Sequence, residues 1–215
     1  DWRSACILAN CFSCRNFNLI VIYVIIMNLI FLGPPGVGKG TQANLICNKY
    51  DLLHLSTGDI LRLEISRKTE IGSFAKSFID KGELVPDETL LKMMNNRLNQ
   101  DDALNGYLLD GFPRTIEQAK GLDLIMKKID HKIECVISLL ADEDELVSRL
   151  LKRGLTSGRS DESIEIIRHR QQIYWNQTSP LLNYYEDIDL LMNVNGVGEI
   201  NDINNEIIKI VNQYA

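Results

Sequence analysis

Short runs of Ile, Leu and Val alternate along the chain with longer stretches whose apolar residues recur at helical spacing. Asn28 to Leu32, Leu52 to Leu55, Tyr107 to Leu109, Ile133 to Leu140 and Ile188 to Val194 read as strands. They lack the apolar–polar alternation of a half-exposed sheet, so they are expected to be buried on both faces, as in a parallel sheet covered by helices. The helical stretches are Thr41 to Tyr50, Asp87 to Leu98, Ile116 to Ile129, Glu143 to Lys152, Ser163 to Tyr185 and Ile200 to Val211. Strand and helix in turn predict a three-layer α/β fold around a five-stranded parallel sheet.

Two segments break the alternation. Ser56 to Asp87 holds two helical patterns and closes on KGELVPDE, which predicts a small helical lobe inserted after the second strand, spanning about 56–85. Gly154 to Ser160, GLTSGRS, is polar, carries two glycines and lies between two helices; it is expected to be a short mobile flap within about 152–162. No internal repeat appears, and the asparagine-rich tail still carries apolar spacing.

Composition narrows the classes. With 215 residues and 45% apolar content the chain can bury one sizeable core, and a soluble, globular domain with inserted lobes is expected. A net charge of -6 argues against a nucleic-acid partner, because a phosphate-backbone binder shows a basic face. Any anion must be bound locally. Five cysteines are an odd count; Cys11 and Cys14 have CxxC spacing, but no second Cys or His pair follows at zinc-ligand spacing, so neither zinc nor a disulfide framework is expected.

Residues 1–26 stand apart. The run Leu19 to Ile26 falls short of the roughly 20 apolar residues that cross a bilayer. It can be read as part of a signal or transit segment, given Arg3 and Arg15, or as sequence upstream of a start at Met27. The second reading is favoured because a strand begins straight after Met27, and with it a cytoplasmic location; 27–215 is then the functional domain.

Within that domain, FLGPPGVGKGTQA nearly spells the phosphate-binding loop G-x-x-x-x-G-K-[ST], running from Gly33 to Gly38 and Lys39. A strand, a glycine-rich turn and a helix in this register aim backbone N–H groups and the positive helix end at one point, which favours phosphate, and Lys39 can reach the outer phosphates. The residue after the lysine usually offers magnesium a hydroxyl, but here it is Gly40, with Thr41 one place late. The metal must then lean on water and a carboxylate elsewhere. Asp110, ending the apolar run YLLD, is the candidate because it falls at the carboxyl edge of a strand, where ligands collect in such sheets.

Taken together, GPPGVGKGTQA, HLSTGDILR, KGELVPDE, LLDGFPRTIEQA, SGRSDE and SPLLNYY resemble the adenylate kinases, of the nucleoside monophosphate kinase family. The resemblance runs from about Met27 to the C-terminus, and six motifs in order make it far more specific than the loop alone. In that family a glycine after the loop lysine is normal. The flap resembles the short-lid type, which lacks a zinc-binding insertion; one departure is Glu162, where the family more often has a second aspartate.

The resemblance implies reversible phosphoryl transfer from ATP to AMP, giving two ADP, with Mg²⁺ as cofactor. Such a reaction joins two polyanions, so the site needs cations along both and little covalent chemistry from the protein. Six arginines lie beside the motifs: Arg62, Arg114, Arg149, Arg153, Arg159 and Arg170. Carried over residue by residue, the ATP side would comprise Gly36, Val37, Gly38, Lys39, Gly40 and Thr41, with Arg149, Arg153 and Gly198. The AMP side would comprise Thr57, Arg62, Glu83, Leu84 and Val85, then Gly111, Phe112, Arg114 and Gln118, with Arg159 and Arg170. Lys39, Arg114, Arg153, Arg159 and Arg170 would carry catalysis, and Asp110 would hold Mg²⁺ through water. Arg97 and Arg168 have no motif support and are expected at the surface. The amide of Gln118 can pair with adenine N1 and N6 together, which a pyrimidine does not reproduce. UMP/CMP kinase is the nearer alternative, a nucleotide-controlled switch the more distant one, and nothing demands more than a monomer.

Overall fold

The computed structural model describes residues 26–215, so residues 1–25 of the leader, with the CxxC pair, lie outside the described residues. Five strands, β1 (Asn28–Leu32), β2 (Leu53–Ser56), β3 (Tyr107–Asp110), β4 (Cys135–Leu140) and β5 (Leu191–Asn195), form one sheet in the order β2-β3-β1-β4-β5. Every neighbouring pair is parallel. β1 is buried along its whole length, as the apolar run Leu29 to Leu32 demands.

Side chains leave the two faces of β1 alternately, and each set enters a different core. Ile30 and Leu32 join Leu55, Leu109 and Val136 beneath α3 (Glu70–Ile79), α4 (Asp87–Leu98), α5 (Ile116–Lys128) and α8 (Pro180–Glu186). Leu29 and Phe31 join Leu108, Ile137 and Leu139 beneath α1 (Lys39–Tyr50), α6 (Glu143–Ser157) and α9 (Ile200–Val211). Removing one of these large side chains, such as Phe31, costs about 3–5 kcal/mol through lost transfer energy and the cavity left behind.

After β2 the chain forms a helical hairpin, α2 (Thr57–Ser66) and α3, the two packing against each other. Ser56 caps α2 by accepting from Asp59 N–H at 3.3 Å, and Thr69 caps α3 by accepting from Gly72 N–H at 3.0 Å. A Cβ at Gly72 would lie 2.2 Å from the Glu64 carbonyl oxygen, so only glycine lets the helices approach this closely.

Several boundaries differ from the sequence expectation. The flap is shorter: α6 continues through Gly154 to Ser157 and stops at Gly158, whose φ of 63° terminates it, leaving 158–163 as the non-helical link to α7 (Ile164–Ile173). Glycine in the middle of this helix costs only about 1 kcal/mol, which the helix absorbs. Ser163 to Tyr185 is not one α-helix; α7 passes into a π turn at Tyr174–Thr178, marked by Ser179 N–H donating to Tyr174 O at 2.8 Å, and α8 restarts at Pro180. Proline lacks the N–H that a continuing helix needs but suits a first turn. β4 starts at Cys135 rather than Ile133, and β5 at Leu191 rather than Ile188, because a turn with Asp189 at φ 55° delays it.

Candidate active site

β1, β2 and β3 all end at the same edge of the sheet: Asp110 is in register with Phe31 on one side and Ser56 on the other. The loops leaving that edge build two adjoining cavities.

The first loop runs from Gly33 to Gly38. Gly36 has φ 92°, and a Cβ there would stand 2.9 Å from both the Leu146 carbonyl oxygen and Leu150 Cγ. The loop's turn is thus reserved for glycine on backbone and packing grounds together. Gly38, also at positive φ, starts α1, so the helix opens at Lys39, two residues before the expected Thr41. Lys39 curls back, its Nζ donating to Gly33 O at 2.6 Å and Pro34 O at 3.0 Å. Burial pushes its pKa down to about 8; Asp110 acts against that shift, while Arg114, Arg170 and Arg153 add to it.

Asp110 is 9% exposed, with Oδ2 at 3.5 Å from His54 Nε2. A Cβ at Gly40 would come to 3.6 Å from the same Oδ2, so the glycine keeps that side of the carboxylate clear. A buried oxygen ligand with open space beside it, next to the phosphate loop, suits a hydrated hard cation such as Mg²⁺.

The arginines gather on the other side. Thr57 Oγ1 and Arg114 Nε both donate to Gly111 O, each at 2.8 Å, which ties α2 to the loop after β3. Gly111 has φ 77°, and a Cβ on it would meet Arg114 Nη2 at 2.8 Å. The Phe112–Pro113 peptide is cis, and Thr178 Oγ1 donates to Arg114 O at 2.9 Å. Arg170 pairs with Asp161 at 2.6 Å, Arg153 pairs with the buried Glu162, and Arg149 donates to Glu145 and to Gly196 O. Burial holds the Arg170 pKa down at about 10 and lowers that of Arg114. Arg159 is lowered by burial first and then by Arg62 and Arg153 close by. So dense a set of partly desolvated cations is a standing demand for anions.

All nine residues expected on the ATP side line one cavity, together with Asp110. Thr57, Glu83, Leu84 and Val85 line the other. Lys39, Arg62, Gly111, Arg114 and Arg170 line both, so the two spaces meet at the cations. Arg159, expected on the AMP side, lies on the ATP-side wall. Phe112 and Gln118 reach neither surface; both are 0% exposed. Arg97 bonds Asp102 through two contacts of 2.7 Å away from the cavities, and Arg168 is exposed.

Several lining groups escaped the sequence reading. Asp161 stands inside SGRSDE, and its place two residues after Arg159 is the signal that could have marked it. His54, beside Asp110, lies inside HLSTGDILR. Tyr174 and Thr178 had no signal, because only the π turn brings them to the cavity.

A phosphate loop at the edge of a parallel sheet, facing a second arginine-lined cavity, defines a P-loop protein of the nucleoside monophosphate kinase type. Residues 31–190 match the family model described as adenylate kinase. A protein of Flavobacterium psychrophilum named adenylate kinase is 45% identical over 187 residues, covering 86% of this chain and 98% of that one. Namesakes from Leptospira biflexa and a Nocardioides species are each 44% identical, over 183 and 177 residues; the alignments cover 85% and 82% of this chain, and 98% and 93% of theirs. The chain belongs to the adenylate kinase family.

Proposed function

We propose that the protein catalyses reversible transfer of the γ-phosphoryl group of ATP to AMP, giving two ADP. The observation that carries this reading is the meeting of two cavities at Lys39, Arg62, Arg114 and Arg170. A nucleotide-controlled switch needs only one of them. No observation favours a pyrimidine acceptor, and the relatives' name agrees with AMP.

On this reading the loop amides and Lys39 hold the ATP phosphates, while Arg62, Arg114 and Arg170 hold the AMP phosphate. Arg153 and Arg159 neutralise charge on the transferring group. AMP's phosphate oxygen is already anionic, so no general base is invoked, and positioning with charge neutralisation supplies the catalysis. Asp110 would hold Mg²⁺ through water, and the ion would neutralise phosphate charge. The α2–α3 hairpin and the 158–163 link serve as AMP lobe and short lid; Ser160 Oγ donating to Asp80 Oδ1 at 2.7 Å joins the link to the residue that follows α3. Their closure would exclude water and suppress ATP hydrolysis. The protein is read as a cytoplasmic monomer. No helix of the described residues is long and apolar enough to cross a membrane.

Titration with two adenosines joined by five phosphates, alongside a coupled assay comparing AMP, CMP and UMP, tests the reading. Tight binding and AMP preference are expected. Binding no tighter than ATP would overturn the two-site assignment.

A further inference from the structure

Gln118 is fully buried on α5, and its amide is held at both ends. Oε1 accepts the Arg114 backbone N–H at 2.7 Å, and Nε2 donates to Asp87 Oδ1 at 2.7 Å. A peptide N–H can only donate, and an ionised carboxylate can only accept, so these two partners permit a single orientation of the amide. Asp87 is kept in the accepting role by two further features. It opens α4, where the positive helix end favours a carboxylate. Thr115 Oγ1 accepts the Gln118 backbone N–H at 3.1 Å as the cap of α5, and directs its own proton to Asp87 Oδ2 at 3.0 Å.

The amide has two N–H groups and two acceptor lone pairs. One of each is used, which leaves one donor on Nε2 and one acceptor on Oε1. That residual pair matches adenine, whose N1 accepts and whose N6 donates. Hypoxanthine presents the reverse, with N1–H donating and O6 accepting, and would fit only a flipped amide. The amide lies behind the wall of the acceptor cavity: Arg114 lines it, and so do Val85 and Leu90, on either side of Asp87 in sequence.

We propose that Asp87, oriented by Thr115, is a positioning residue that sets acceptor specificity by locking the orientation of the Gln118 amide, so that the enzyme selects 6-amino over 6-oxo purine monophosphates. This rests on the proposed AMP site, with the base meeting the amide once the lobe carrying Val85 moves off. Replacing Asp87 by a group that can both donate and accept removes one of the two contacts that oppose the flip, leaving only the Arg114 N–H against it, and so lets IMP compete better.

The test compares AMP with IMP as acceptors, by kcat/KM and by Kd, for the wild type, Asp87→Asn and Asp87→Ser, with thermal melts confirming folded protein. The IMP-to-AMP ratio is expected to rise at least about fivefold in both variants, the lower end of what one two-bond base contact discriminates. A lowered melting temperature with an unchanged ratio in either folded variant would reduce Asp87 to a structural role and overturn the proposal. A wild type that does not prefer AMP to CMP and UMP would instead overturn the AMP reading on which it rests.

Discussion

The two cavities share a floor of cations but differ in what anchors them. The ATP side is organised around one contiguous stretch, Pro35 to Gln42, with turns held by glycines, and groups such as Arg149, Arg159 and Gly198 reach its wall from distant segments. The AMP side is assembled from α2, the 82–85 turn, the loop after β3 and α7, segments more than a hundred residues apart. The resting partners differ too. Lys39 leans on neutral carbonyls, whereas Arg62 and Arg170, which line both cavities, are paired with Asp59 and Asp161, and Arg149 and Arg153 on the ATP side with Glu145 and Glu162. An incoming phosphate displaces dipoles at the loop and competes with carboxylates at the arginines. Affinity for either nucleotide therefore also reads how readily those ion pairs give way.

The largest test removes a cation from the shared floor. Lys39→Ala and Arg114→Ala are each expected to lower turnover about a thousandfold or more in a coupled assay, with circular dichroism unchanged. Near-normal turnover of folded Arg114→Ala would break the two-sided picture. Next comes a pair two residues apart on one helix: Arg170→Ala, losing its contact with Asp161 and the cavity, should cost on the order of a hundredfold or more in kcat/KM for AMP. Arg168→Ala, on the exposed face, should leave it unchanged; equal effects would mean that α7 acts only as scaffold.

A smaller effect is expected at the base. Gln118→Ala should narrow discrimination of AMP against CMP and UMP by about 10- to 100-fold, the value of one two-bond base contact, measured as a ratio of kcat/KM. Unchanged selectivity would remove Gln118 from base reading.

The smallest is a pH effect at Lys39. Lys39 titrates near 8 in the free protein against an ordinary value of 10.5, so its charge is lost as pH rises through 8. ATP affinity should fall across that range, with the inflection abolished in Lys39→Arg. For folding the sign is opposite: a lysine depressed by burial costs stability while charged below 8, and that cost is relieved between 8 and 10.5 as the folded state gives up the proton first. Chemical denaturation at pH 7 and pH 9 checks this contribution by comparing wild type with Lys39→Met.

The contrast between the cavities also explains what could be read in advance. Apolar runs at 29–32 and 107–109 announce strands covered on both faces, as in a buried parallel sheet. The phosphate loop is legible because its chemistry is local: glycine positions, lysine and helix start all lie within nine residues. The arginines were legible only through several motifs taken together, because nothing in one arginine's neighbours distinguishes Arg170 from Arg168. Helix ends were less legible. Gly154 sits inside α6 although its flexibility suggested a break, and the π turn ends at Thr178, whose hydroxyl bonds the Arg114 carbonyl, a partner 64 residues away.

The sequence by itself determined the layered α/β architecture, the phosphate loop and the supply of cations, because burial pattern and turn chemistry act over a few residues. Tertiary structure alone decided which side chains share a cavity and how they are held. It placed Asp161 against Arg170, opened the space beside Asp110 that Gly40 leaves clear, and fixed the Gln118 amide between Asp87 and the Arg114 backbone. These are contacts between groups distant in sequence or around a turn. Only closing the sheet edge and packing the helices around it sets the few ångströms on which hydrogen-bond polarity and ion pairing depend.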